Sequence, residues 1–207
     1  MVAHENIYKG VKLGGARNPH DLSVAMAAVI PSELTADDVI FLCIGTDRST
    51  GDSLGPLVGT YLTGLGYRNV VGTLDDPTHA MNLAERIAAL PEGKTVIAID
   101  ACLGQLSSVG AMNVYKGAIK PGAGVNKELP AAGDYGITAV VNVGGFAEYF
   151  VLQSTRLSVV VQLAKDITSA IVNIFPLEGA RKVEPPKKKR GRPRKQKTEV
   201  VAGEQRN

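Results

Sequence analysis

The chain has 207 residues, of which 44% are hydrophobic, 21% charged and 5% aromatic. This composition is typical of a globular protein and excludes fibrous and wholly disordered chains. Its two cysteines, Cys43 and Cys102, have no CxxC spacing, and the first residues lack the apolar core of a signal peptide. Both observations predict a cytoplasmic protein. The longest aliphatic runs are far shorter than the ~20 residues of a membrane-spanning helix, so we expect no membrane partner.

The net charge of +3 conceals an acidic body and a basic tail. Residues 181–197 contain ten Lys and Arg against one Glu, a charge of +9, so the rest of the chain carries −6. Three prolines lie within nine residues of this tail, which cannot bury enough apolar surface to offset its ordering entropy. We therefore predict an N-terminal extension with one helix (1–36), an α/β domain (37–178) and a disordered basic tail (179–207).

Short β-branched runs alternate with stretches of helical spacing through most of the chain, which predicts an α/β sheet. The predicted elements are, in chain order, helix 21–30, strand 39–45, helix 54–65, strand 69–74, helix 79–90, strand 94–100, strand 109–117, strand 137–143 and helices 146–153 and 156–175. The connection after strand 94–100 is too short for a crossover, so strand 109–117 is expected as its antiparallel neighbour.

Two strand-end loops carry aspartates. The ligand cleft of an open α/β sheet lies beyond the carboxyl ends of the strands, where the winding reverses. If the strand order begins 2-1-3, loops 45–56 and 99–104 meet there and deliver Asp52 and Asp100, with Asp47 nearby as an accessory. An aspartate that ends an apolar run is costly to bury alone, which indicates catalysis, a metal or a hydrogen-bond network. The alternative is that each aspartate only caps a turn, as Asp52 or Ser53 would cap the helix from residue 54.

The loop GTDRSTGDSLGP (45–56) does not fit the known phosphate-binding motifs. It has no Lys-Ser/Thr after its second glycine, it is not GxGxxG, and its two aspartates would repel an anion. A small acidic turn that enters a helix suits a cation or a pair of carboxyls that share a proton.

Five ordered segments resemble the YyaC sporulation-protein family of endospore-forming bacteria. They are CIGTDRSTGDSLGPLVG, GTLDDPTHAMNL, IAIDACLG, KPGAGVNKELPAAGDYG and VVNVGGFAEY. That family is similar to the spore germination protease and the hydrogenase-maturation endopeptidases, so the resemblance implies a three-layer, phosphorylase/hydrolase-like α/β fold with a mostly parallel sheet. It also implies that Asp52 in TGDSLGP and Asp100 in AIDA match the two catalytic aspartates of the germination protease.

The resemblance leaves metal binding open. In the hydrogenase endopeptidases, acidic residues at these two positions and a later histidine bind a metal, and the later loop of this chain has no histidine. His79, which follows the second predicted strand, faces either the cleft or solvent. We expect no cofactor, with Asp52, Asp100 and His79 as the alternative ligands of a divalent cation. Cys102 with His79 as its base is an alternative nucleophile, although buried cysteines commonly only pack.

The tail segment KKRGRPRK resembles an AT-hook. Gly191 would let the backbone approach the floor of the minor groove, while Arg190 and Arg192 reach into its negative potential. The residues expected to bind A·T-rich DNA are Lys189, Arg190, Gly191, Arg192, Pro193, Arg194 and Lys195. The alternative is a tail that only solubilises the protein or binds polyanions in general.

Two functions follow from the sequence. The first is a sporulation peptidase of the forespore or mother-cell cytoplasm, in which two aspartates hydrolyse a peptide bond of a protein or peptide. The second is a non-catalytic sporulation module that binds a partner in its cleft and DNA through its tail.

Overall fold

The computed structural model describes residues 11–122 and 129–177. The basic tail and its AT-hook-like segment lie outside the described residues, so their disorder and DNA binding stay predictions. The described elements are β1 (Val11–Ala16), α1 (Pro19–Ala27), β2 (Val39–Cys43), a 3-10 turn (Gly51–Ser53), α2 (Leu54–Gly64), β3 (Val70–Val71), α3 (Leu83–Ala88), β4 (Thr95–Gly104), a second 3-10 turn (Leu106–Ser108), β5 (Met112–Lys116), β6 (Tyr135–Val143), α4 (Glu148–Gln153) and α5 (Leu157–Ile174).

The described strands form one six-stranded sheet in the order β1-β5-β6-β4-β2-β3. β3, β2, β4 and β6 run parallel to one another, while β5 is antiparallel to both β6 and β1. The predicted α/β class with a mostly parallel sheet is confirmed. The order β3-β2-β4 is also the predicted 2-1-3 order, so the winding reverses at β2 and β4.

Helices lie on both faces of this sheet and give the three predicted layers. The larger core joins α1, α2 and α5 to one face, where the Phe41 ring meets the rings of Tyr67 and Phe175 edge to face with centroids 5.7 Å apart. A smaller core on the opposite face joins Leu83 of α3 to Leu42 and Ala98. Apolar side chains on both faces of β2 explain why its sequence is a continuous apolar run.

By length and composition alone, helix α5 could cross a membrane. It nevertheless packs against α1 and α2. Its buried face contributes Val160, Leu163, Ala164, Ile167, Ala170 and Ile171 to the larger core. In the described fold α5 is therefore a core helix, and the absence of a membrane partner stays a prediction.

The predicted neighbour of strand 109–117 is wrong. β5 is antiparallel to β4, but β6 lies between them. The short turn Leu106–Ser108 is long enough to step over one strand, a distance of ~10 Å, because neighbouring strands are only about 4.8 Å apart. β4 then pairs with β6 up to Gly104, so β4 continues beyond Asp100, where the sequence predicted its end.

The helix predicted over 79–90 begins later and ends earlier than expected. Asn82 accepts a hydrogen bond from the His79 backbone N–H at 2.8 Å and donates one to the Pro77 carbonyl at 3.1 Å. These bonds hold the chain in a turn, and α3 starts only at Leu83. Helix α1 similarly starts at Pro19 and ends at Ala27 instead of running to Ile30.

The sheet also includes a strand that the sequence analysis did not predict. β1 pairs with β5, and α1 packs against α5, so both elements of the predicted extension belong to the described fold. The sequence of β1, VKLGGA, has one β-branched residue and two glycines, which is a weak strand signal.

Candidate functional site

A cavity of about 1160 Å³ opens at the carboxyl ends of β2 and β4. The loops after β2, β3 and β4 and the start of α4 line one part of it, and residues of β5 and β1 line the other. Asp52, Asp100 and His79 all contribute to its wall. Asp47 is exposed and does not line the cavity, so the structure does not bring it together with the other three.

Asp52 is placed by a loop that folds tightly back on itself. The Thr46 N–H donates to the Asp52 carbonyl at 3.1 Å. Gly45 has a φ of +145°, and a Cβ there would lie 1.9 Å from the same carbonyl oxygen. Only glycine permits this approach, which leaves Asp52 in the 3-10 turn that leads into α2. The sequence predicted Asp52 or Ser53 as the N-cap of α2. Ser53 occupies that position, but its side chain makes no capping hydrogen bond.

Asp100 is placed by strand alternation. Ile97 and Ile99 of β4 point into the larger core, so Asp100 points to the opposite face. It pairs with Thr138 of β6 and is partly buried at the floor of the cavity. Its Oδ1 accepts a hydrogen bond from the Ala101 N–H at 2.9 Å. The apolar strand that precedes Asp100 therefore places a largely desolvated carboxyl group in the cavity wall.

The two carboxyl groups differ in their electrostatic environment. Burial, and after it the neighbouring Asp52 carboxylate, raise the pKa of Asp100 to about 8 against the opposing effect of the hydrogen bond from the Ala101 N–H. Burial also raises the pKa of Asp52, while the nearby Ser49 hydroxyl lowers it. At neutral pH we therefore expect Asp100 to hold a proton beside an ionised Asp52, as in other pairs of close carboxyls.

His79 lines the cavity from the turn that precedes α3. Its Nδ1 accepts a hydrogen bond from the Met81 N–H at 3.3 Å. The described residues include no group of three or more His, Cys, Asp or Glu placed to hold a metal ion. Asp52, Asp100 and His79 are therefore not placed to bind one metal ion together, and we derive no step through a metal.

The two cysteines lie in different surroundings. Cys43 is fully buried in the larger core, where burial raises the pKa of its thiol. It therefore packs as a small apolar residue. Cys102 is partly exposed and lines the cavity, near Tyr115.

Several cavity residues were missed by the sequence analysis. They come from β5, from the β1–α1 connection, from the loop after β2 and from α4, and they include Asn113, Tyr115, Arg17, Ser49 and Glu148. Asn113 could have been recognised in the sequence, because it is a polar residue within the apolar run AMNVY. The others could be assigned only once the strand order was known.

Exposed aromatic side chains lie beside the cavity mouth. Phe146 is 93% exposed, and the exposed rings of Tyr149 and Phe150 meet edge to face with centroids 5.6 Å apart. Tyr149 and Glu148 also line the cavity. The preceding Ala147 has a φ of +52°, a left-handed conformation that costs a non-glycine residue energy. We call Phe146, Tyr149 and Phe150, which lie close together in the chain, the aromatic rim; exposed apolar patches are typical of binding surfaces.

Comparison with known proteins places the chain in a family. The solved structure of the NiFe hydrogenase maturation protease HycI from Thermococcus kodakarensis KOD1 matches with a TM-score of 0.45 and 15% identity, covering 74% of this chain and 97% of that one. The chain is 50% identical over 138 residues to "Uncharacterized protein YyaC" of Bacillus subtilis (strain 168), covering 64% of this chain and 67% of the relative, which confirms the predicted relationship to YyaC. The sequence pattern of the family "Protein of unknown function (DUF1256)" matches residues 17–170, and the chain belongs to this family.

Proposed function

We propose that this protein is a peptidase that uses Asp52 and Asp100 to hydrolyse a peptide bond in its cleft. The observation that carries the proposal is the pair itself: both residues line one cavity, and the carboxylate of Asp52 contributes to the raised pKa of Asp100. A pair in which one member is protonated and the other ionised supplies a general acid and a general base at neutral pH.

In the proposed reaction, Asp52 accepts a proton from a water molecule as the water oxygen adds to the peptide carbonyl carbon. Asp100 donates its proton to the carbonyl oxygen, which gives a neutral tetrahedral adduct. Asp52 then donates its new proton to the nitrogen as the C–N bond breaks, and Asp100 takes back a proton from a hydroxyl of the adduct. Both carboxyls return to their starting states, and no other reactant is consumed.

The shape of the site supports a protein or peptide substrate. The cavity extends from the loops that carry the aspartates to β5 and β1, and the aromatic rim lies beside its mouth. Such a surface can contact several residues of an extended chain. A role in sporulation, in the forespore or mother-cell cytoplasm, is the part of the proposal that depends on the YyaC resemblance alone.

The test compares cleavage of one peptide mixture by matched variants. A tryptic digest of casein is incubated with the purified full chain, and new termini are counted by mass spectrometry. Asp52→Asn and Asp100→Asn should each reduce cleavage by at least about 10³-fold, because each removes one proton-transfer group. Asp37→Asn is the control, since Asp37 is exposed and lies two residues before β2, at the other end of the strand. Cleavage that persists in both cleft variants would refute the proposal.

A non-catalytic module is the second candidate, and the aromatic rim is the observation that favours it. In that case the cleft and the rim bind a protein partner, and the predicted AT-hook-like segment binds A·T-rich DNA. Partner binding that is equally strong in the wild type, Asp52→Asn and Asp100→Asn, without cleavage by any of them, would favour this function. DNA binding is tested separately, because Arg190→Ala and Arg192→Ala should weaken the preference for A·T sequence more than Lys187→Ala does.

A further inference from the structure

Strand β5 carries a buried polar side chain that the proposed reaction does not use. Asn113 is 4% exposed and lines the cavity, and no hydrogen bond joins its carboxamide to the side chain or backbone of another described residue. Its neighbours in the strand, Met112 and Val114, are fully buried apolar residues of the larger core. Buried carboxamides are nearly always paired, so one that faces a cavity without a partner indicates a ligand.

The sheet places Asn113 in one row with the proposed reaction centre. Asn113 of β5 pairs with Thr138 of β6, and Thr138 pairs with Asp100 of β4. Directly paired residues point to the same face of a sheet, so the three side chains lie side by side. Two strand spacings separate Asp100 from Asn113, a Cα distance of about 10 Å. Thr138 is short and 1% exposed, and it lies at the floor between them.

The neighbouring strand leaves room for the carboxamide. Gly14 of β1 pairs with Asn113, and a Cβ on Gly14 would come within 2.7 Å of Asn113 Oδ1. Gly14 and Gly15 both line the cavity. Gly14 therefore makes room for the Asn113 side chain itself, while Gly15, where a Cβ would meet no atom within 4 Å, leaves the β1 backbone open beside it.

We propose that the Asn113 carboxamide binds a main-chain peptide group of the substrate. This inference rests on the proposed function, since it takes the ligand to be a peptide. The carboxamide offers one acceptor and two donor hydrogens, which match the N–H and C=O of a peptide group. An extended chain advances about 3.3 Å per residue, so a substrate that reaches from Asp100 to Asn113 presents a peptide group about three residues from the scissile bond. Asn113 then selects for an extended chain of sufficient length, whatever its side chains.

The probe is a hexapeptide of alternating alanine and glycine that is capped at both ends, so that it offers peptide groups and no charge. Its affinity for the full chain is measured by titration, and the side-chain amide signal of Asn113 is followed by ¹⁵N NMR. Asn113→Leu keeps the branched shape of the side chain, with somewhat larger methyl groups, but removes both hydrogen-bonding functions; Asn113→Thr is a second, smaller variant with a strand-compatible side chain. Asn173→Leu is the matched control, because Asn173 is exposed on α5 and does not line the cavity.

We expect the peptide to shift the Asn113 amide signal and to bind about tenfold more weakly to both Asn113 variants, with no change in Asn173→Leu. Asn113→Leu should keep or raise the melting temperature. If Asn113 served only to stabilise the fold, the same substitution would lower it. Equal affinity in the wild type and the Asn113 variants, or an unshifted amide signal, would overturn the inference. Peptide binding through Asn113 without any cleavage would support this inference but refute the proposed hydrolysis. Cleavage that is equal in the wild type and the Asn113 variants would overturn this inference and leave the proposed hydrolysis standing.

Discussion

The two halves of the sheet present their side chains differently. In the half formed by β3, β2 and β4, helices pack on both faces, and the polar groups of the site come from loops or from the end of an apolar run. In the half formed by β6, β5 and β1, helices α1 and α5 cover one face, while on the other Ile119 and Ala132, from the connection after β5, pack with Tyr115. There the cavity extends over the strands themselves, and Asn113 of β5 lines it.

This contrast separates two tasks. Burial in the first half changes the protonation of two carboxyls, which is what acid–base chemistry needs. The cavity wall in the second half carries the glycine backbone of β1 and the Asn113 carboxamide, which suits recognition of an extended chain. Substitutions in the first half should therefore change chemistry and stability together, while those in the second half or at the aromatic rim should change binding alone.

The largest effect is expected from the turn that holds Asp52. Gly45→Ala places a Cβ at 1.9 Å from the Asp52 carbonyl oxygen and forces an alanine into a φ of +145°. We expect a loss of about 3 kcal/mol in the free energy of unfolding, measured by urea denaturation, together with loss of cleavage.

Gly64→Ala in α2 is the matched control for that variant. A Cβ on Gly64 meets no atom within 4 Å, and its φ is not positive. It should be neutral or stabilise the protein by up to about 1 kcal/mol, since alanine favours the helix. Equal unfolding energies for the two variants would contradict the tight approach at Gly45.

The next effect concerns the stability cost of the buried carboxyl. The pKa of Asp100 is about 8 in the folded protein, above the ordinary value near 4, so the folded state binds the extra proton between these pH values. Stability must then fall as the pH rises from about 4 to about 8. Asp100→Asn removes this loss and should stabilise the protein at pH 9 by on the order of 2 kcal/mol, with little difference at pH 4.

Thermal unfolding of the wild type and Asp100→Asn across this pH range checks the sign. Asp37→Asn is again the control, and its stability should follow the wild type at every pH. A wild type that gains stability relative to Asp100→Asn as the pH rises would show that Asp100 is ionised and stabilising in the folded state.

The smallest effect is expected at the aromatic rim. Phe146 is 93% exposed, so Phe146→Ser should change the free energy of unfolding by less than about 0.5 kcal/mol. If the rim contacts substrate, the KM for casein peptides should rise by about threefold while kcat is unchanged, because partial burial of a ring contributes on the order of 1 kcal/mol. Leu65→Ser, at the far end of α2, is the control; a KM that changes equally in both variants would exclude a specific role of the rim.

Local sequence patterns predicted the first half of the sheet well. The apolar runs predicted β2 and β4 as buried strands, and the assumed 2-1-3 order, which the sheet has, brings Asp52 and Asp100 into one cavity. The second half depends on pairing between distant segments, which local patterns do not encode. That is why β1 was missed and β5 was given the wrong neighbour.

The same reason explains the site residues that sequence analysis did not find. Asn113 could be recognised as an unusual polar residue, but its place in one row with Asp100 follows from the β4–β6 and β6–β5 registers. His79 does follow the second strand of the sequence prediction, β3. It lies before the helix that was predicted to start with it, because hydrogen bonds of the Asn82 side chain hold residues 77–82 in a turn. The catalytic roles of Asp52 and Asp100 stay predictions.

Asp52 and Asp100 are electrostatically coupled in a cleft where burial raises the pKa of both carboxyls. A ¹³C NMR titration of the Asp100 side-chain carboxyl measures this directly in the full chain. We predict a midpoint near pH 8 in the wild type, in line with the raised pKa of Asp100, and a lower midpoint in Asp52→Asn, which removes the neighbouring negative charge. A wild-type midpoint near pH 4 that does not move in Asp52→Asn would contradict the account.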